Sequence, residues 1–165
     1  MKERVRSAWN SLPYKKIPNR MISRMVGNAV FWLNALPVNS GMFCTISPQT
    51  LMTGTTIDFK KYWKIEFGPY AEAHKKTFPH NSMQSRTEPA IWLGPTGNLQ
   101  GYYWFLNLRT RIRIKRRTFT TLSVPTRIIE RVHARTDADN QNTALDFFDR
   151  LGNPIPYDDT PDDNN

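Results

Sequence analysis

Cysteine is nearly missing from this sequence. Cys44 stands alone, which excludes an internal disulfide framework and any cysteine-rich zinc site. Histidine is as scarce. His74, His80 and His133, with Cys44, are scattered over about ninety residues without pairwise ligand spacing, so neither a metal site nor a cofactor is expected. No apolar run approaches the roughly 18 residues of a membrane span, and the N-terminus carries no signal-peptide core. The expectation is an intracellular chain with no membrane partner.

Carboxylates are also thin through most of the chain. Before residue 136 only Glu3, Asp58, Glu66, Glu72, Glu88 and Glu130 occur, no two at a spacing that suggests a shared site. A Gly-rich phosphate loop and a Gly-x-Ser-x-Gly elbow are both missing. A free-standing enzyme is not expected, and no catalytic residue is assigned.

Positive charge, in contrast, is abundant and uneven. Residues 1–135 hold 22 Lys/Arg against 6 Asp/Glu, a net of +16, and residues 136–165 hold one Arg against 8 Asp, a net of −7. Together they give the overall +9. A basic body with an acidic tail points to nucleic acid or an acidic surface. With 165 residues, 39% of them hydrophobic, the chain has material for one modest core.

Helix signals come first. "KERVRSAWNSL" (2–12) aligns Val5, Ala8 and Leu12, and "PYKKIP" (13–18) interrupts. A second helix is predicted from about Asn19 toward Leu36, with Ile22, Met25, Val26, Ala29, Val30 and Leu33 as its apolar stripe and Pro37 as its stop. "SPQTLMTG" (47–54) has Ser47 as N-cap, Pro48 at the first helical position and Gly54 past the end. Strand signals follow: "KIEFGPYAEAH" (64–74), interrupted at Gly68-Pro69, then "PAIWLG" (89–94), a turn through Gly97-Asn98, and "GYYWFLNL" (101–108). Residues 75–88 read as an exposed loop. "VPTRIIERVHA" (124–134) returns to helix, and the acidic end from residue 136 is expected to be largely disordered.

One stretch stands apart. "LNLRTRIRIKRRTFTTL" (106–122) packs Arg109, Arg111, Arg113, Lys115, Arg116 and Arg117 into nine positions, with Ile112 and Ile114 between them. Alternation puts Arg111, Arg113 and Lys115 on one strand face and the two isoleucines on the other. Such a strand can follow a phosphate backbone while its isoleucines anchor it. The competing reading is a solvated edge strand whose charges deter aggregation. Tyr102, Tyr103, Trp104 and Phe105 offer stacking surface or core.

The order of these elements resembles a copia-type retrotransposon integrase, from the end of its catalytic core into the following small barrel. Leu12-Pro13 precedes a helix with Ala29, Leu33, Asn34, Leu36 and Pro37, similar to the family's Ala…Tyr-Leu-Asn-x-x-Pro stretch. Ser47-Pro48 with Leu51 and Gly54 resembles its Thr-Pro-x-x-x-x-x-Gly. Phe67-Gly68 with Tyr70-Ala71 is similar to Phe-Gly-Cys…Ala-Tyr, and Trp92-Leu93-Gly94 with Gly101-Tyr102 to Phe-Leu-Gly-Tyr…Gly-Tyr. Arg116 to Phe119 stands where Ser-Arg-Asp-Val-x-Phe is expected. Pro69 replaces the family's Cys, and Arg117-Thr118 replaces its Arg-Asp-Val, which removes an acid.

The resemblance covers residues 2–122 and implies an α+β chain. Residues 1–58 would be the helical end of an RNase H-like core, and 62–122 an antiparallel SH3-like β-barrel. A short helix over 123–135 and the tail, 136–165, complete it. The family's Asp, Asp, Glu triad holds two metals for strand transfer. "KERVR" (2–6) resembles later turns of the helix that carries the third carboxylate, so the triad would lie upstream of Met1, and Glu3 is not part of it. The implied function is a non-catalytic integrase or Pol-polyprotein fragment that binds DNA, or RNA, through phosphates, in the nucleus if it behaves as an integrase piece. With the helices stripped of their sheet, the stripe from Ile22 to Leu33 would need cover, and self-association is expected. Two alternatives stand beside this: a protein-interaction module whose basic face binds an acidic partner, and a small ribonucleoprotein component.

Overall fold

The computed structural model describes residues 1–37, 45–62, 65–75, 83–98 and 100–139. Cys44, His80, residues 76–82 of the polar loop and the tail from residue 140 lie outside the described residues.

The helical third comprises α1 (Lys2–Asn10), α2 (Asn19–Ala35), α3 (Pro48–Thr53) and α4 (Phe59–Tyr62). Helix α3 follows its signals closely. The Ser47 hydroxyl accepts from the Thr50 N–H at 3.2 Å, Pro48 opens the first turn, and Gly54 ends it at φ 69°. Five strands follow: β1 (Tyr70–His74), β2 (Thr87–Pro95), β3 (Tyr103–Asn107), β4 (Arg113–Arg116) and β5 (Phe119–Thr121). Strand β1 begins only after Gly68-Pro69. Helix α5 (Thr126–Ala138) closes the described chain. The architecture is α+β.

All strand pairs are antiparallel, in the order β4-β3-β2-β1-β5. The sheet is open: no ladder joins β4 to β5 among the described residues. Yet only Arg117 and Thr118 separate these two edge strands in sequence. Two residues cannot cross the width of a flat five-stranded sheet, which is roughly 19 Å at about 4.8 Å per strand. The sheet is therefore strongly curled. Side-chain sizes explain how: Ala71, Ala73 and Ala90, all fully buried, line the inner face of the middle strands. Their small volume lets Phe119 of β5 reach Tyr103 and Phe105 of β3, each with ring centroids 5.3 Å apart.

The outer face carries the second core cluster. Ile91, Leu93 and Leu106 of the sheet pack with Val5 of α1, Met21, Met25 and Ala29 of α2, and Val132 of α5. Residues 1–58 and 62–122 thus share one hydrophobic cluster. The close approach of α2 to β2 depends on Gly94, at φ 104°. A Cβ there would stand 2.6 Å from Asn28 Oδ1, so any other residue forces the Asn28 side chain or the helix to shift.

Two expectations need correction. The buried residues of α2 are Met21, Met25, Ala29 and Ala35, so Met25 and Ala29 of the expected stripe are core and Met21 joins them, while Ile22 and Val26 are half-buried and Val30 is 38% exposed. Ile22 and Val26 pack against the outer-face cluster, so this part of the stripe is not left bare. Helix α5 runs to Ala138, past the expected end at 135. Its last turn is held by Thr136, fully buried with its hydroxyl donating to Val132 O, and by ion pairs Lys16–Asp137 at 2.8 Å and Arg135–Asp139 at 3.2 Å. His133 is a satisfied histidine, its Nε2 accepting the Lys15 N–H at 3.1 Å.

Candidate nucleic-acid interface

Register decides which way each cation on β4 points. Lys115 lies opposite Trp104, Arg113 opposite Leu106, Ile114 opposite Phe105 and Arg116 opposite Tyr103. Arg113 and Lys115 therefore share the outer face with Trp104, and both are exposed. Lys115 Nζ sits 4.6 Å from the Trp104 ring centroid and the Arg113 guanidinium 5.4 Å from it. A third cation arrives from the helical third: the Arg24 guanidinium of α2, 5.3 Å from the same ring. Each cation–π contact at such a partly exposed site contributes about 0.5–1 kcal/mol.

Among the described residues no ion pair joins Arg24, Arg113 or Lys115 to a carboxylate. Arg24 is half-buried and its Nε has no hydrogen-bond partner. Burial, and then the neighbouring charge of Arg113, lower its pKa below the ordinary value. The site concentrates like charge around one aromatic ring. Its chemistry is anion attraction.

The other expected site residues scatter. Arg111 is not on the strand: it sits at φ 62° in the turn before β4, its N–H donating to Asn107 O at 2.8 Å. The cause is Asn107, only 1% exposed. Its Oδ1 accepts from the N–H groups of Arg109 and Thr110 at 2.8 and 3.0 Å, and its Nδ2 donates to Glu88. This side-chain turn delays the strand until Arg113. Ile112 consequently stays 59% exposed, not buried as the alternation predicts. Ile114 does pack against the inner cluster. Arg116 takes the inner side and faces Glu88 at 3.8 Å. Arg109 and Arg117 are exposed.

Of the aromatic run, Tyr103 and Phe105 are core, whereas Trp104 is half-buried beneath its cations. Sequence reasoning missed Arg24, because nothing local signals that α2 lies beside β3. It also missed Asn107, although an Asn followed by Leu-Arg-Thr is a readable turn signal. No group of metal-binding side chains forms among the described residues. Glu72, a candidate carboxylate, accepts from Tyr70 Oη at 2.7 Å. Burial and that hydrogen bond push the Tyr70 phenol up to about 12. No helix of the described residues is long and apolar enough to cross a membrane. In comparisons with known proteins, no family model, no curated protein and no solved structure matches the chain.

Proposed function

We propose that the chain is a non-catalytic, nucleic-acid-binding piece of a copia-type retrotransposon integrase or Pol polyprotein, serving DNA integration through phosphate contacts. The observation that carries the binding reading is the grouping of Arg24, Arg113 and Lys115 around Trp104 without a carboxylate partner. Like charges held together repel, and a polyanion relieves that repulsion. A phosphate beside Arg24 would offset both influences that disfavour its charge.

The finer fold reading, an SH3-like barrel, draws support from β5 returning to pair with β1 and from Phe119 spanning the inner face. The link to an RNase H-like core and to integrases rests on the sequence resemblance alone, as does the nuclear location.

Fluorescence anisotropy of a labelled DNA duplex across a salt series tests the reading. The expected log–log plot is linear, with a slope of about −0.9 per phosphate contact. Replacing Arg113 and Lys115 by Ala should flatten it by roughly two units, and equally for unrelated duplex sequences. Coincident curves for wild type and variant would remove DNA from this face. Binding of polyglutamate but not of duplex would favour the acidic-protein alternative.

A further inference from the structure

Helix α5, the β3–β4 turn and the start of α2 enclose a cleft of about 210 Å³ that Trp104 does not line. Five arginines line it: Arg20, Arg109, Arg111, Arg131 and Arg135. Among the described residues the one carboxylate in the lining is Asp139, already 3.2 Å from Arg135 Nη2. Leu106 and Val132 form part of its apolar floor. We propose that this cleft is a binding site for a compact, multiply charged phosphate group.

The arginines are set by the backbone rather than by chance proximity. Asn107 fixes the turn that carries Arg109 and Arg111. Arg111 is held at φ 62°, a conformation that ordinary side chains seldom adopt. Its carbonyl accepts from Arg20 Nη1 at 2.8 Å, which ties the start of α2 to the same turn. Arg131 and Arg135 lie four residues apart on α5, hence on one helix face. Three separate elements thus bring arginines to the lining of one concavity.

Concavity selects the ligand. A duplex backbone runs over a surface, whereas a cleft of about 210 Å³ takes a small polyanion or the phosphorylated end of a strand. Guanidinium forks match phosphate oxygens in pairs, and several of them favour a dianion or polyanion over a single phosphodiester. Two sources share that chemistry: the terminal phosphate of a nucleic-acid strand and a free phosphorylated small molecule. The inference extends the basic stretch to residues outside it and does not depend on duplex binding at Trp104.

The test titrates the full chain with inorganic pyrophosphate by calorimetry at low salt. One saturable site is expected. Arg109→Gln combined with Arg131→Gln should weaken it at least about ten-fold, as loss of two charge-assisted contacts implies. Both residues are exposed, so folding should survive. Asp139→Asn should instead tighten binding, because it frees Arg135. Arg113→Gln with Lys115→Gln, which removes two charges outside the lining, should weaken pyrophosphate binding far less than the Arg109/Arg131 change, which separates this cleft from the Trp104 site.

Unmodified protein provides a second readout. Its melting temperature should rise with pyrophosphate concentration, since a ligand of the folded state stabilises it. Single-stranded oligonucleotides with a 5′-phosphate or a 5′-hydroxyl then distinguish the sources. A clear preference for the 5′-phosphate identifies a strand end, and equal affinity identifies a free phosphorylated compound. No pyrophosphate binding, no rise in melting temperature, or binding unaffected by the Arg109/Arg131 variant would overturn the proposal. Duplex binding that persisted in that case would leave the Trp104 reading standing.

Discussion

Trp104 and Phe105 are neighbours on β3, both large and aromatic, yet they face opposite worlds. Phe105 is fully buried, its ring 5.3 Å from that of Phe119, in a cluster with Tyr103, Trp92 and three alanines. Trp104, one residue earlier, is half-buried and surrounded by Arg24, Arg113 and Lys115. The difference comes from the partner strand. Phe105 lies opposite Ile114, and Trp104 lies opposite Lys115. Strand alternation turns one aromatic into core and the other into a platform for cations.

If that comparison is right, truncating the two residues should damage different properties. Phe105→Ala should cost about 3–5 kcal/mol of stability, read as a lowered urea midpoint, because it leaves a cavity in the inner cluster. A loss below about 1 kcal/mol would mean that the inner aromatics are not a packed unit.

The outer cluster can be challenged by pH. Tyr14 is 3% exposed, donates its hydroxyl to Gly68 O at 3.2 Å, and has its pKa raised by burial from 10.0 to about 12. The neutral phenol favours the folded state, so its contribution is complete below pH 10 and is lost as pH rises toward 12. The expected decline is on the order of 2 kcal/mol, followed by urea unfolding between pH 9 and 12, about these pKa values. Tyr14→Phe should make that decline shallower, leaving the share of Tyr70, whose phenol is raised as well. An unchanged pH profile would contradict the burial of this phenol.

The smallest expected effect sharpens the boundary of β4. Ile112, 59% exposed, should tolerate Ala with a change within about 0.5 kcal/mol. Ile114, packed against the inner cluster, should lose about 1–2 kcal/mol on the same change. Equal losses would restore the simple alternating strand.

Much of this arrangement could be read in advance. Caps at Ser47 and Gly54 act through local hydrogen bonds and φ preferences, so they are legible from a few residues. The outward pairing of Arg113 with Lys115 follows from alternation. What alternation could not supply was the start of the strand. Asn107 imposes a turn that leaves Arg111 and Ile112 outside β4, and a local side-chain bond overrides the period-two pattern. Arg24 was illegible for another reason: it joins Trp104 only because Gly94 lets α2 settle on the sheet. The burial of Met21 beside the expected Met25 and Ala29 belongs with it, since the surface that covers a helix chooses which apolar residues are buried. Helix α5 outran its apolar pattern because Thr136 is buried and the pairs Lys16–Asp137 and Arg135–Asp139 hold its end.

The most direct test of the central claim compares cations by the direction they face. Duplex-binding slopes against salt should be measured for wild type, for Arg113→Ala with Lys115→Ala, and for Arg116→Gln. The outward pair should flatten the slope by roughly two units, at about 0.9 per lost phosphate contact. Arg116, turned inward 3.8 Å from Glu88, should leave the slope unchanged even where stability falls. Slopes that fell for Arg116→Gln and stayed constant for the outward pair would contradict the account.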